Sequence, residues 1–417
     1  MNTGRTDREP RTTPTPEADE PAGAVLRRLV LPIYIPALLV QGGVGMLVPV
    51  LPLYLEQEGL SFTMIGLILA AAGLGSTISQ LPVGSVLGRV AERTVMLAAL
   101  VVMAVSTVVL GFTGVAITLA VLRFVSGIGS TGWLLSRQTF MTRAAPAKVR
   151  GRAMSIFGGT QRAGIFLGGL AGGFLAEWFG FAWAFVAVTL VTLAAVVPLV
   201  IDRHPLSAQT PTAERPAGGL FGAFRHHRSL LLLAGSGQVA IIAVRTGRLV
   251  VLPLVGSALG LSPSEVGVLV SIGSFADLAL FPLAGFIMDR FGRLFAIVPA
   301  FCGIGVGMFL LAAADGYAGV AVAATIIGLA NGIGSGTMLT QASDLAPRES
   351  PSQFLASLGT LRDSGKIAAP LLVGWLADVA GLPTASVVLG LLAFVATAVL
   401  VFGIGETRDR TPTRSPT

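Results

Sequence analysis

Hydrophobic residues in this chain come in runs of roughly 20, each long enough to cross a ~30 Å hydrocarbon layer as a helix, and polar residues collect between the runs. Twelve such runs are predicted, at 29–54, 62–87, 94–112, 116–140, 153–177, 181–201, 229–255, 263–288, 294–314, 317–343, 352–378 and 383–404. Ten-residue alternating segments, the mark of a membrane barrel, are absent, and an open sheet leaves its backbone unsatisfied in lipid. The predicted fold is therefore an all-α membrane protein with twelve transmembrane helices.

Composition agrees. Of 417 residues 53% are hydrophobic and 12% charged, and the mean hydropathy is +0.81, outside the range of soluble domains. The 28 Lys and Arg residues would suit nucleic acid, but their placement speaks against it. Arg89, Arg93, Arg143, Lys148, Arg150, Arg152, Arg203, Arg225, Arg228, Arg290, Arg293 and Arg348 fall on one side of the membrane; Glu56, Glu58, Glu177, Glu265, Asp315 and Asp378 fall on the other. This asymmetry predicts a multi-pass protein of the plasma (inner) membrane with both termini cytoplasmic. Residues 1–28 read as a disordered cytoplasmic tail without a signal peptide, 29–201 and 229–404 as six-helix bundles, 202–228 as a cytoplasmic linker, and 405–417 as a second tail. His204, His226 and His227 all lie in the linker, where a solvated basic loop accounts for them better than a metal site. Cys302 is the only cysteine, which excludes a disulfide within the chain.

The bundles repeat. LPLYLEQEGLSFTMIG at 51–66 matches LPLVGSALGLSPSEVG at 252–267, so that Pro52, Gly59, Leu60, Ser61 and Gly66 recur 201 residues later. At the same offset Gly84 pairs with Gly285, Gly164 with Gly365, and GGFLAEWFG at 172–180 with VGWLADVAG at 373–381. Two parallel six-helix pseudo-repeats place a site at their interface near mid-membrane, exposed alternately as the halves rock.

PLAGFIMDRFGR at 282–293 resembles the loop signature of the major facilitator superfamily, with Gly285, Asp289, Arg290, Gly292 and Arg293 in place. Its first-half twin, PVGSVLGRVAER, keeps Gly84, Arg89 and Arg93 but carries Gly88 where the family has Asp. LRFVSGIGS at 122–130 resembles the fourth-span motif with its arginine, Arg123, and residues 150–173 resemble the fifth span of the drug:proton antiporter branches, with Gly169 where that motif has proline. The resemblance implies the superfamily's twelve-helix fold, a cytoplasmic gate built from these loop residues, with Asp289 facing the start of the fifth span, and a part for Arg123 in proton coupling.

Charges inside the spans supply the remaining candidates, because an ionisable group in lipid costs at least ~2.5–3.5 kcal/mol and normally faces protein or a wet cavity. Arg162, Arg245, Arg248, Arg362 and Lys366, with Gln41 and Asn331, are predicted to line a substrate cavity; Arg123, Asp277 and Asp363 are the proton-coupling candidates. Gln80 and Gln161 are further neutral donors, and Trp133 and Phe166 are aromatic candidates for cargo stacking or for packing. Neighbouring residues point about 100° apart on a helix, so Asp363 is expected to meet Arg162, its pseudo-symmetric equivalent, rather than Arg362. Cations outnumber carboxylates, which invites an anionic group on the cargo.

The favoured function is a secondary active transporter, a proton-coupled efflux carrier of the multidrug-resistance kind for a small amphipathic molecule bearing an anionic group. Its alternatives are a proton-coupled uptake symporter for an organic anion or metabolite and, from another class, a non-transporting receptor or scaffold. An enzyme is disfavoured, since no histidine lies in a span, and energisation by ATP is disfavoured, since no G-x-x-x-x-G-K-[ST] occurs. The partners expected are the small-molecule substrate and membrane lipid, for a monomer with no cofactor, no metal and no nucleic acid, driven by the proton gradient.

Overall fold

The computed structural model describes residues 22–144, 147–201, 228–347 and 351–408. Twelve long helices account for nearly all of them: α1 Val30–Gln57, α2 Phe62–Leu87, α3 Glu92–Leu110, α4 Ala116–Ala144, α5 Ala147–Phe179, α6 Phe181–Ile201, α7 Arg228–Ala258, α8 Pro263–Phe291, α9 Leu294–Ala312, α10 Tyr317–Leu345, α11 Pro351–Ala380 and α12 Leu382–Ile404. Ten are long and apolar enough to cross a membrane. The other two, α5 and α11, run for 33 and 30 residues and carry the glycines and internal charges. They lie where the halves meet, and neighbouring helices shield what lipid would reject.

Local chemistry repeats with the sequence. Ser61 caps α2 by accepting from the Met64 amide, and Ser262 caps α8 in a reciprocal box with Glu265. The turns before them end in Gly59 and Gly260, with φ of +76° and +75°, a left-handed conformation that costs glycine nothing. α10 is interrupted at mid-course, where Gly336 takes φ +79° and a second segment, Thr337–Leu345, begins.

Small residues set the helix spacing, as they must where lipid removes hydrophobic attraction between helices. A Cβ at Gly164 would stand 2.7 Å from the Leu38 carbonyl of α1, and one at Gly365 would stand 2.5 Å from the Val239 carbonyl of α7, the same contact 201 residues on. The α5 glycines thus divide between two neighbours. Gly164, Gly168 and Gly172 admit α1 of their own half, while Gly169 and Gly173 admit α8 of the other.

The linker expected at 202–228 lies outside the described residues except for Arg228, the first residue of α7. Ala22–Arg28, assigned from sequence to a disordered tail, is a short helix instead. Leu26 and Leu29 pack there with Ile33, Met141 and Phe157, and this apolar burial orders the segment that follows the polar start of the chain.

Candidate functional site

The halves meet chiefly along two crossings, α5 on α8 and α2 on α11, and each carries a polar contact. On the first, Arg162 Nε lies 3.2 Å from Asp277 Oδ1, its Nη2 donates to Ser335 Oγ at 2.7 Å, and its guanidinium stacks 4.3 Å from the Phe281 ring centroid. On the second, Gln80 Nε2 donates to Asp363 Oδ2 at 3.0 Å, while Lys366 Nζ and Arg362 Nε lie 3.1 and 3.4 Å from Asp363 Oδ1.

The structure thereby corrects two expectations. Arg162 pairs with Asp277 and not with Asp363: pseudo-symmetric equivalents sit on opposite crossings, and a two-fold relation that makes them alike also keeps them apart. Asp363 does bind its neighbour Arg362, because a long guanidinium arm bends back over the roughly 100° between adjacent side chains. One predicted cluster is therefore two, one on each crossing.

The remaining candidates fall into satisfied and unsatisfied groups. Arg245 donates to the carbonyls of Asn331 at 3.4 Å and Gly334 at 3.0 Å, beside the break in α10, and lies 5.5 Å from the Phe301 ring centroid. The break exposes those carbonyls and the arginine takes them. Gln41 bonds Gln161 at 3.4 Å inside the first half. Asn331 keeps a buried side-chain oxygen without a partner. Among the described residues Arg123 and Arg248 form no ion pair or hydrogen bond, and the Nε of each is buried. Sequence reasoning overlooked Arg137, which is 2% exposed and held between the rings of Trp133 at 5.3 Å and Phe157 at 4.2 Å. Its position inside the expected fourth span was signal enough to find it.

The two ends differ. At the end opposite residues 22 and 408, Asp378 of α11 accepts from the backbone amides of Phe62 at 2.9 Å and Thr63 at 2.7 Å, and Glu177 of α5 accepts from the Ser264 amide at 2.9 Å. Each carboxylate caps the first turn of a helix in the other half, where free N–H groups and the helix dipole favour negative charge. The two caps are equivalent at the 201-residue offset. Ser271 Oγ adds a bond of 2.9 Å to the Phe166 carbonyl across the same crossing. This far end is closed.

At the terminal end the loop-signature residues bind within their own halves. Arg93 donates to the Val200 carbonyl at 2.9 Å, Arg293 Nε lies 2.9 Å from Asp344, and the Arg290 carbonyl accepts from Arg408 at 2.8 Å. Gly292, at φ +110°, lets the chain turn beneath Glu406, whose carboxylate caps α9 through the amides of Arg293 and Leu294. Burial alone would raise the Glu406 carboxyl, but the amides of Leu294, Arg293, Arg408 and Thr407 outweigh it and hold it below its ordinary value. Asp289 is exposed, with no hydrogen bond or ion pair to α5, and Arg89 likewise makes no side-chain bond among the described residues. Positions 84 and 285 have open space around them, as do 151 and 159 on α5. Among the described residues no bond joins Asp289, Arg290 or Arg293 to the first half, and the start of the fifth span, against which the gate is expected, lies in part outside the described residues.

The sequence profile described as Major Facilitator Superfamily matches residues 33–369 and 237–417. An uncharacterized MFS-type transporter of Methanocaldococcus jannaschii is 21% identical over 384 residues, covering 89% of this chain and 98% of that one. The multidrug resistance protein MdtG of Klebsiella pneumoniae is 26% identical over 191 residues, 45% of each chain. Among solved structures, a D-xylose–proton symporter superposes with a TM-score of 0.73 at 19% identity, covering 93% of this chain and 99% of that one.

Proposed function

The chain belongs to the Major Facilitator Superfamily and is a membrane-embedded transporter rather than an enzyme, and from that premise we propose that it carries a small amphipathic organic anion together with a proton. The observation that carries this reading is the state of the internal charges. Both carboxylates at the two crossings are held by cations, and other cations stand unpaired.

Linkage gives the sign of the coupling. An anionic cargo that enters among Arg162, Arg248 and Asp277 competes with that carboxylate for the cations around it, and a proton taken up with the cargo keeps the charge of the group balanced. Conversely, a proton on Asp277 leaves the neighbouring cations to the cargo. Each ligand strengthens the other by the same factor, so the two load together. Asp363 with Arg362 and Lys366 repeats the arrangement on the second crossing. The driving force is a proton gradient across the inner membrane, the terminal end is cytoplasmic, and a monomer suffices because the whole site lies within one chain.

Proton-driven efflux is the second reading, favoured by the likeness to multidrug resistance proteins. Exchange requires proton and cargo to exclude each other, which a cationic cargo competing for Asp277 or Asp363 would satisfy. Proteoliposomes containing a pH dye, given organic acids and amines in turn, separate the two. Acidification that accompanies acid entry supports symport, whereas proton entry driven by amine exit rejects it in favour of exchange.

A further inference from the structure

Resting on the anion-carrier reading, we infer that Arg248 is the residue that holds the cargo's acid group, and that the cargo is a monoanion with an apolar body. Counting hydrogen bonds separates the cations. Arg162 is engaged by Asp277 and Ser335, Arg245 by two α10 carbonyls, and Arg362 and Lys366 by Asp363. Arg137 is sealed between two rings in the first half. Arg123 and Arg248 have no such partner among the described residues and each keeps a buried, unbonded Nε; of the two, Arg248 lines a cavity that draws on both halves. Asp277, the carboxylate near enough to act on its charge, already belongs to Arg162.

The cavity's other walls state what accompanies the acid group. Val48 comes from α1 of the first half, while Leu252, Val270, Ala324 and Ile327 come from α7, α8 and α10 of the second. Ser274, also on the wall, spends its hydroxyl on the Val270 carbonyl at 2.9 Å. The cavity is small, about 20 Å³, room for one water, so the single cation in its apolar collar anchors one negative charge while an apolar body needs the halves to part around it. A second negative charge would lie beside Asp277 or against hydrocarbon, both unfavourable. Because the collar draws on both halves, an occupant there touches the two bodies that move against each other.

The test is binding to the full chain in lipid nanodiscs by three probes of similar shape: phenylacetate, its neutral amide phenylacetamide, and the dianion phenylmalonate. Phenylacetate should bind, and the other two should bind at least about tenfold more weakly. Arg248→Gln should weaken phenylacetate about ten- to a hundredfold, the loss expected for a charge-assisted hydrogen bond in a poorly solvated site, with partial rescue by Arg248→Lys. Leu252→Trp, which keeps the arginine but fills the collar, should also reduce binding and guards against misfolding of the charge variants. Phenylacetate binding unchanged in Arg248→Gln but lost in Arg162→Gln would overturn the Arg248 assignment and leave the anion carrier standing. Phenylmalonate binding as tightly as phenylacetate would overturn the monoanion. Failure of every acid to bind while phenethylamine binds would remove the anion-carrier reading as well.

Discussion

Replacing Asp378 by alanine should open the far end. Its carboxylate joins α11 to the first turn of α2 through two amides, at 2.9 and 2.7 Å, and this contact exists only while that end is closed. Removing a carboxylate cap costs 0.5–2 kcal/mol in ordinary helices; because Asp378 is exposed and screened, about 1 kcal/mol is the appropriate size. That shifts the ratio of far-end-open to far-end-closed molecules about fivefold. The shift can be read from the labelling rate of a buried interface position. Ser271 is 1% exposed and lies on the closed crossing; as a cysteine in a Cys302→Ser background, it becomes reachable from the far side only when the halves part. A membrane-impermeant maleimide should therefore label it about fivefold faster in Asp378→Ala, and Glu177→Ala should act in the same direction from the other crossing. An unchanged or slower rate in both variants would show that the caps do not hold the closed state.

The other expectations concern single contacts. Asp277→Asn removes the carboxylate that competes with an anionic cargo for the cations around it, so cargo affinity should rise while cargo-dependent proton flux disappears; binding and flux assays check this, and flux that persists contradicts it. Gly173→Ala places a Cβ 2.5 Å from the Pro263 carbonyl and 2.8 Å from the Gly267 Cα, backbone atoms that cannot turn aside, so it should favour the far-end-open state and raise Ser271→Cys labelling. Glu406→Gln should lower thermal stability by about 1 kcal/mol near neutral pH, after allowance for partial exposure. Since the native carboxyl is held below its ordinary value, the stabilisation is complete above the unfolded pKa of about 4.3 and is lost as the pH falls through the lower native value. Melting curves of wild type and variant should accordingly converge in acid; a gap that widens there refutes the cap.

Much of the fold was legible because lipid imposes long apolar runs and because the repeat at 201 residues carries its turns and small residues with it: Gly59 and Gly260, Ser61 and Ser262, Gly164 and Gly365. The site was legible as a set of residues but not as pairs. Nothing in the spacing of Arg162, Asp277 and Asp363 says which helices cross, and the reading by symmetry joined Arg162 to its own equivalent. The far-end caps were missed for a related reason. Glu177 and Asp378 read as loop charges until the start of a helix from the other half is seen beneath each of them. Conversely, the loop signature led to a gate for which the described residues show no contact between the halves, since a motif records contacts from every state of the cycle and one structure holds only some.

The most direct test of the account is the direction of proton movement that accompanies cargo. Proteoliposomes loaded with a pH dye and given phenylacetate outside, with no imposed gradient, should acidify as the anion enters, and Asp277→Asn should abolish the proton signal. Protons moving opposite to the cargo, or acidification that appears with a cationic amine and never with the acid, would contradict it.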